Sequence, residues 1–227
     1  MKEKIIAIIP AAGHGSRMGA DKNKLLLELS GRPVLAWTLE AFESCPLVDE
    51  VFLVANEQDI FSYRDIVKTY CFSKVKEILR GGETRAESVY LGLLAAEKAD
   101  IVVVHDGARA LVTPEIIEKT IEESRGTGAA IAAARAVDTV KKTDGGFITE
   151  TPDRASLFMA QTPQVFRRQL LLDAMEKDRS GITDDASAVE KAGGRVKIAE
   201  TGYENIKITT PFDLMIAEAV LAKRENA

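Results

Sequence analysis

The chain has 227 residues, of which 46% are hydrophobic and 29% are charged, and this composition is typical of one globular domain with its own core over residues 1–227. The formal net charge of -5 argues against a nucleic-acid or anionic-membrane partner, because both select basic surfaces. The apolar runs are too short for a signal peptide or a membrane span, and Cys45 and Cys71 form no CxxC motif, so we expect a cytoplasmic protein with reduced thiols.

Short apolar runs alternate with helical patterns along the first 137 residues. The predicted strands are IIAII (5–9), VFLVA (51–55), VKEIL (75–79), IVVVH (101–105) and AAIAAA (129–134). The predicted helices begin at Pro33, Gln58, Thr84 and Thr113. This alternation indicates a mostly parallel sheet that is covered by helices on both faces.

The alternation stops after residue 137, where the chain reads as β segments around the turn Asp144-Gly145-Gly146. The pattern predicts a β arm at about 138–160 that projects from the domain, and a plain hairpin extension of the sheet fits it equally well. Further helices are predicted at about 168–177 and 184–192, then a strand near RVKIAE, and a last helix from about Pro211 to Lys223.

The segment IPAAGHGSRMGADKNK (9–24) joins small residues to several cations directly after the first predicted strand. Ligands bind at the carboxyl ends of strands in open parallel sheets, and small residues there let backbone N–H groups approach a phosphate. The glycine spacing differs from both the dinucleotide fingerprint and the Walker A loop. Arg17 and Lys24 suit a ligand with several phosphates, and solvated charges on a loop are the alternative.

Two other segments after predicted strands contain candidate site residues. GGETRAES (81–88) is first of all a helix entry capped by Thr84, whose N-terminus can also accept an anion. VVVHDGAR (102–109) places Asp106 at the end of a buried strand, where a carboxylate needs a partner. Mg²⁺ carried in by phosphates and an ion pair with Arg109 are both open. His105 is expected to be packed and hydrogen-bonded.

Two cations and an acidic segment stand out in the second half of the chain. Arg154 lies in the predicted arm. Lys207 would face solvent if its segment is a strand, and would meet an anionic substrate if the segment ends inside a cleft. The run GITDDAS (181–187) indicates a helix N-cap followed by acidic residues, although Thr183 and Asp184 also suit a site wall.

Eight motifs follow one another along the chain: PAAGHGSRMG, GGETRAESV, VVVHDGAR, DTVK, TPDR, QTPQVF, ITDDASAVE and NIKIT. In this order they resemble the 2-C-methyl-D-erythritol 4-phosphate cytidylyltransferase family. The resemblance implies a Rossmann-like nucleotidyltransferase fold whose β arm clasps a second copy in a homodimer. It also implies a reaction in which CTP and the methylerythritol phosphate give the CDP-alcohol and pyrophosphate, with Mg²⁺, in non-mevalonate isoprenoid precursor synthesis.

The resemblance further implies roles for single residues. Arg17 and Lys24 would stabilise the transition state, and Asp106 would associate with the metal. The residues implied in substrate positioning are Arg154, Lys207, Thr139, Asp153, Thr162 and Thr183. Those implied in nucleotide binding are Pro10, Ala11, Ala12, Gly13, Gly15, Gly82, Glu83, Arg85, Ser88, Asp106, Gly107 and Ala108. Thr139 and Arg154 would reach the neighbouring subunit's site from the arm.

The chain departs from the family pattern in two places. KNKLLLEL stands where the family has a Pro-Lys-Gln run, and HDGARA lacks the usual proline after the arginine. The first departure leaves Lys22 as an alternative to Lys24, although counting from Arg17 favours Lys24. Two other functions stay open: a cytidylyltransferase for another polyol phosphate such as ribitol 5-phosphate, and a nucleotide-binding module without catalysis.

Overall fold

A computed structural model describes residues 2–13, 23–179 and 181–226. The strands in chain order are β1 (Ile5–Ala11), β2 (Glu28–Leu29), β3 (Arg32–Pro33), β4 (Glu50–Ala55), β5 (Val75–Arg80), β6 (Ile101–Val104), β7 (Ala129–Arg135), β8 (Lys142–Asp144), β9 (Phe147–Glu150), β10 (Phe158–Arg167) and β11 (Lys197–Glu200). The helices are α1 (Val34–Ser44), α2 (Ile60–Thr69), α3 (Arg85–Ala95), α4 (Pro114–Ser124), α5 (Arg168–Lys177), α6 (Asp185–Lys191) and α7 (Pro211–Glu225). Every predicted helix occurs, and each begins within two residues of its predicted start.

Seven strands form the central sheet in the order β11-β7-β10-β6-β1-β4-β5. The pairs of β1 with β4 and β6, of β4 with β5, and of β7 with β11 are parallel. Among these seven described strands, β10 alone runs antiparallel to its neighbours, because the chain leaves the sheet at the end of β7, forms the arm and returns beside β7. The predicted mostly parallel sheet is confirmed.

The core lies on both faces of this sheet, as the alternation predicts. Ile5, Ala7 and Ile9 of β1 pack in one apolar cluster with α1, α2, α4 and α7, whereas Ile6 and Ile8 pack in the other with α3, α5 and α6. Successive residues of a strand point to opposite faces, so a strand that is buried on both sides reads as a continuous apolar run.

Helix α3 approaches the sheet especially closely at Gly92. A Cβ built on this glycine would lie 2.5 Å from Cγ2 of Ile8, so the packing of α3 against β1 leaves no room for a side chain. This close packing fixes the start of α3 at the end of β1, where the candidate site lies.

The segment between β7 and β10 forms a hairpin outside the central sheet. Strands β8 and β9 pair only with each other among the described strands, and residues 138–151 are all exposed. The hairpin is therefore a projecting arm, and the alternative of a sheet extension is wrong. After the hairpin the chain rejoins the central sheet, where Phe158 of β10 pairs with Arg135 of β7.

Two expectations from composition concern the cysteines and membrane-spanning helices. Cys45 is a buried free thiol and Cys71 an exposed one. Within residues 2–13, 23–179 and 181–226, no helix has both the length and the apolar character that crossing a membrane requires.

Candidate active site

A cavity of about 1210 Å³ lies at the carboxyl ends of β1, β5 and β6. Three predicted segments meet in its lining: residues 10–13 after β1, residues 80–85 with Glu87 and Ser88 at the start of α3, and residues 106–108 after β6. Lys24 and Lys207 join them. The rest of the described lining comprises Leu25, Asn56, Glu57, Gln58, Leu91 and Thr209. This edge of a parallel sheet is where the topology places a ligand.

The wall after β1 is tied to the segment that contains Lys24. The hydroxyl of Tyr63 donates to the carbonyl of Ala11 (3.0 Å) and accepts from the side-chain amide of Asn23 (2.7 Å). Asn23 in turn caps the 3₁₀ turn Lys24–Leu26 by accepting from the backbone of Leu25 (3.0 Å). This chain of hydrogen bonds places Lys24 in the cavity lining. Gly15, Arg17 and Lys22 lie outside the described residues.

Hydrogen bonds within residues 82–88 fix the cavity wall at the start of α3. Thr84 accepts from the backbone N–H of Glu87 (3.1 Å), so the predicted cap is confirmed. Ser88 accepts from the backbone N–H of Gly82 (3.2 Å), and Glu87 accepts from that of Glu83 (2.8 Å). These contacts hold residues 82–84 in a fixed turn beside the cavity.

Gly81 joins the walls after β1 and β5. A Cβ there would lie 2.8 Å from both Cβ of Ala12 and Oγ of Ser88, which is closer than real Cβ contacts come. The two walls therefore meet with only backbone between them at this point.

Asp106 is the centre of a charged cluster at the end of β6. Its Oδ1 lies 2.9 Å from Nε of Arg85, and its Oδ2 lies 2.8 Å from Nζ of Lys207 and 3.9 Å from Nε of Arg109. The predicted pair with Arg109 forms but is the longest of the three. The backbone N–H of Asp106 donates to the hydroxyl of Thr162 (3.0 Å). Lys207 does not face away into solvent, since its ammonium group lies in the cleft.

The cations determine the charge state of Asp106. Burial alone would raise the pKa of this carboxyl, but Arg85 and Lys207 hold it well below its usual range. Asp106 is therefore ionised at neutral pH and holds both cations at the cavity wall.

His105 precedes Asp106 and is completely buried. Its Nδ1 lies 3.1 Å from the hydroxyl of Thr162, and its Nε2 lies 3.3 Å from the carbonyl of Arg109. Burial lowers the pKa of His105 to about 3, so the ring is neutral at physiological pH. The expected packed and hydrogen-bonded histidine is confirmed.

A smaller cavity of about 290 Å³ adjoins the first and shares Arg85, Asp106 and Lys207 with it. Its other lining residues are Arg109, Ala160, Gln161, Thr162, Gln164, Thr183 and Asp184. The helix N-cap predicted within residues 181–187 is Asp184, which accepts from the backbone of Ser187 (3.0 Å) in a capping box. Thr162 and Thr183 thus lie beside the charged cluster.

The three arm residues of the predicted site lie elsewhere. Of the described residues between 138 and 159, none lines either cavity. Arg154 donates to the carbonyl of Val137 (3.0 Å), and Asp153 caps the turn Arg154–Ser156 by accepting from Ala155 (3.0 Å). Thr139 is exposed. The structure does not bring these residues to the site of their own chain.

Comparison with known proteins relates this arrangement to a family. Residues 5–223 match the family described as IspD, 2-C-methyl-D-erythritol 4-phosphate cytidylyltransferase. The chain belongs to this family. Its members are nucleotidyltransferases, and the chain is therefore one as well.

Individual relatives cover nearly the whole chain. A Bacillus licheniformis protein named 2-C-methyl-D-erythritol 4-phosphate cytidylyltransferase is 47% identical over 223 residues, which are 96% of each chain. The crystal structure of the 4-diphosphocytidyl-2C-methyl-D-erythritol synthase from Anaerococcus prevotii has a TM-score of 0.86 at 33% identity and covers 98% of this chain and 100% of the other. The cytidylyltransferase of the same family from Thermus thermophilus has a TM-score of 0.78 at 30% identity, covering 98% and 100%.

Several polar residues around the family site are missed by the sequence analysis. Asp185 is the first residue of α6 and was expected only to support the helix start, but its carboxylate is completely buried against Arg85. Gln161 and Asn205 are buried amides that join β10 to the segment before α7: Nδ2 of Asn205 donates to Oε1 of Gln161 (2.9 Å) and to the carbonyl of Thr162 (2.8 Å). No local pattern marks these contacts.

The same contacts explain how Lys207 reaches the cleft. Asn205 is anchored to β10, and the backbone N–H of Ile208 donates to the carbonyl of Ala108 (2.8 Å) while the Ile208 side chain is completely buried. Lys207 lies between these two anchors and points its ammonium group to Asp106.

Proposed function

We propose that this enzyme joins CTP and 2-C-methyl-D-erythritol 4-phosphate in the cytoplasm and releases pyrophosphate. A phosphate oxygen of 2-C-methyl-D-erythritol 4-phosphate forms a bond to the α-phosphorus of CTP. The bond from that phosphorus to the oxygen that bridges it to the β-phosphate breaks, and pyrophosphate leaves with this oxygen. The attacking oxygen is already anionic near neutral pH, so no strong base is required. The observation that carries the proposal is the meeting of the small-residue wall, Lys24 and the Asp106–Lys207 pair in one cleft of a family member.

The two adjoining cavities suit two substrates of different size. The larger one is lined by the nucleotide-binding candidates of residues 10–13, 82–88 and 106–108, and would take CTP. The smaller one contains Thr162 and Thr183 and would take the polyol phosphate. Lys207 lies in both linings, and this supports a role for its ammonium group between the attacking phosphate and the nucleotide.

Catalysis then rests on positioning and on electrostatic stabilisation. Two anions must approach each other, and negative charge builds up on the leaving pyrophosphate. Lys24 and Arg17 would offset charge on the nucleotide phosphates, and Lys207 would hold the attacking phosphate. Asp106 and Thr162 support this arrangement by fixing the end of β6.

Asp106 fits a divalent cation only together with substrate oxygens. Across the ranges that the structure covers, no group of three or more His, Cys, Asp or Glu side chains could hold a metal ion. Mg²⁺ is commonly bound by one or two carboxylates plus substrate phosphates, and the Asp106 carboxylate lies in the lining of both cavities. A bound Mg²⁺ would supply Lewis-acid neutralisation of phosphate charge.

The arm would join two copies of the chain in a homodimer. Exposed apolar side chains lie on the arm, at Val140, Phe147 and Ile148, and beside its base, at Val137 and at Met159 of β10. Phe147 is 81% and Ile148 63% exposed, which is unusual for side chains without a partner surface. An isolated two-stranded hairpin is marginal in water, so a partner would also stabilise it. Arg154 and Thr139 would then serve the partner's site.

Subunit complementation tests this arm assignment. Lys207→Met impairs the part of the site that a subunit builds from its own central domain. Arg154→Ala impairs the arm, which in this proposal completes the site of the partner subunit. If each arm serves the partner, co-expressed variants form heterodimers with one intact site, and about a quarter of wild-type activity returns in a random mixture. If each arm serves its own chain, no activity returns.

Pyrophosphate release tests the reaction itself. We expect turnover with CTP and 2-C-methyl-D-erythritol 4-phosphate, and much less with ribitol 5-phosphate. Lys24→Ala and Arg17→Ala should each lower kcat by about 10²-fold, by analogy with loss of one oxyanion donor. Preference for ribitol 5-phosphate would redefine the substrate. Nucleotide binding without pyrophosphate release would indicate a binding module instead of an enzyme.

A further inference from the structure

A second buried carboxylate lies behind the charged cluster and does not line either cavity. Asp185 is completely buried at the start of α6. Its Oδ1 accepts from Nη1 of Arg85 (3.1 Å), and its Oδ2 accepts from Nη2 (2.8 Å). The pair joins two helices that are 100 residues apart in sequence. Removing a carboxylate from water costs free energy, and a buried ion pair is weak evidence for stability alone.

The geometry of Arg85 connects this carboxylate to the cleft. A guanidinium group is planar and presents its N–H donors in a rigid fork. Since Asp185 holds both terminal nitrogens, the direction of the remaining Nε is fixed, and Nε donates to Oδ1 of Asp106 (2.9 Å). The other oxygen of Asp106 holds Nζ of Lys207 (2.8 Å). Asp185 therefore fixes the orientation of Arg85, Arg85 fixes Asp106, and Asp106 fixes Lys207.

We propose that Asp185 is a positioning residue for the transfer reaction, which acts through Arg85 and sets the Asp106–Lys207 pair at the junction of the two cavities. The inference rests on the function proposed above. Asp185 contacts neither cavity, so it does not touch substrate. Without it, the Arg85 fork is free to turn both terminal nitrogens onto Asp106 or onto the bound phosphates, and Lys207 loses its fixed acceptor.

A double-mutant cycle on kcat/KM for the polyol phosphate, at saturating CTP, tests this route. Asp185→Asn keeps the shape of the side chain and removes its charge, and we expect a loss of about 10- to 100-fold, because small displacements of positioning groups cost this much. In the Arg85→Gln background the same change should cost less than about twofold, because residues that act through one another are not additive.

Two further variants separate positioning from a general effect on folding. Glu115→Gln removes an exposed first-turn carboxylate from α4, outside both cavities, and should leave kcat/KM unchanged. If Asp185→Asn does not fold, Asp185→Glu keeps the charge and moves the Arg85 fork by one methylene. We expect about a tenfold loss of kcat/KM from this displacement. Melting temperatures of all variants check that each one is folded at the assay temperature, so that the kcat/KM values compare folded enzymes.

Each outcome has one meaning. Wild-type activity in Asp185→Asn, or in Asp185→Glu where the asparagine variant does not fold, overturns the inference. An equal loss in the wild-type and Arg85→Gln backgrounds overturns it as well, and would indicate a structural role for Asp185. Absence of pyrophosphate release from the wild-type enzyme overturns the proposed function, and the inference falls with it.

Discussion

Replacement of Lys207 by methionine is the most direct test of the charged cluster. Methionine keeps much of the side-chain length and removes the ammonium group. The cluster contains three cations, Arg85, Arg109 and Lys207, and two carboxylates, Asp106 and Asp185, so its formal charge is 3 - 2 = +1. Lys207→Met lowers this charge to zero, and the incoming phosphate then meets a neutral cluster.

The expected magnitude follows from the burial and contacts of the ammonium group. Its side chain is 36% exposed and already bonded to Asp106 at 2.8 Å, so the full interaction of two bare charges does not apply. A hydrogen bond to a charged group contributes about 1.5–3 kcal/mol, which corresponds to a factor of about 10 to 150. We therefore expect kcat/KM for the polyol phosphate to fall by that factor, with a smaller change in the KM for CTP.

The assay is steady-state pyrophosphate release at saturating CTP with varied polyol phosphate. Lys223→Met is the matched control, because Lys223 also bonds one carboxylate, Glu204 at 3.2 Å, but is exposed and lies on α7 outside both cavities. A Lys207→Met enzyme whose kcat/KM stays within about threefold of the control would refute the electrostatic argument, since removing one charge-assisted hydrogen bond must cost more.

Three further predictions concern stability and are measured by denaturant unfolding. The pKa of His105 is about 3 in the folded state, below its unfolded value. The unfolding free energy should therefore fall as pH drops from about 6.5 towards 3, by up to about 1.4 kcal/mol per pH unit. His105→Gln should lose this pH dependence. Gly92→Ala should cost about 1–3 kcal/mol through overlap with the isoleucine methyl of β1, whereas Gly126→Ala, which has open space, should change stability by less than about 1 kcal/mol. Arg85→Gln should cost about 3–5 kcal/mol by leaving the buried carboxylate of Asp185 unpaired, and adding Asp185→Asn should restore most of it. The first prediction is contradicted if wild type and His105→Gln lose stability equally as pH falls, and the second if Gly92→Ala and Gly126→Ala cost the same. The third is contradicted if the effects of Arg85→Gln and Asp185→Asn on the unfolding free energy simply add in the double variant.

The sequence predicts the fold well because the signals for it are local. Runs such as IVVVH and AAIAAA are short, apolar and bounded by turn residues, and they became β6 and β7. The helix starts at Thr84, Thr113 and Thr210 carry cap or proline signals within a few residues. The direction of β10 was not predictable in this way, because strand direction in a sheet depends on where the arm returns and not on the composition of the strand.

The candidate site is predictable only in part, for a similar reason. Residues at strand ends, such as Asp106, can be found from topology, since all parallel strands end at the same edge of the sheet. The charged side chains that pair around Asp106 cannot be found in this way, because Arg85, Lys207 and Asp185 come from three distant segments. The sequence points to Arg109, the nearest cation along the chain, and in the structure Arg109 is the most distant of the three partners of Asp106.

The layout of the cluster bears on why a phosphate-binding site contains carboxylates at all. A lone lysine on a flexible stem must be ordered by its ligand, and the entropy of that ordering is subtracted from binding. In this site Asp106 orders Lys207 before any substrate arrives, and Asp185 does the same for Arg85. The carboxylates weaken the net positive field but leave the N–H donors fixed in direction, and fixed donors cost no reorganisation when charge moves to the leaving pyrophosphate. On this argument, removing Asp106 or Asp185 should impair turnover even though each removal makes the cleft more positive.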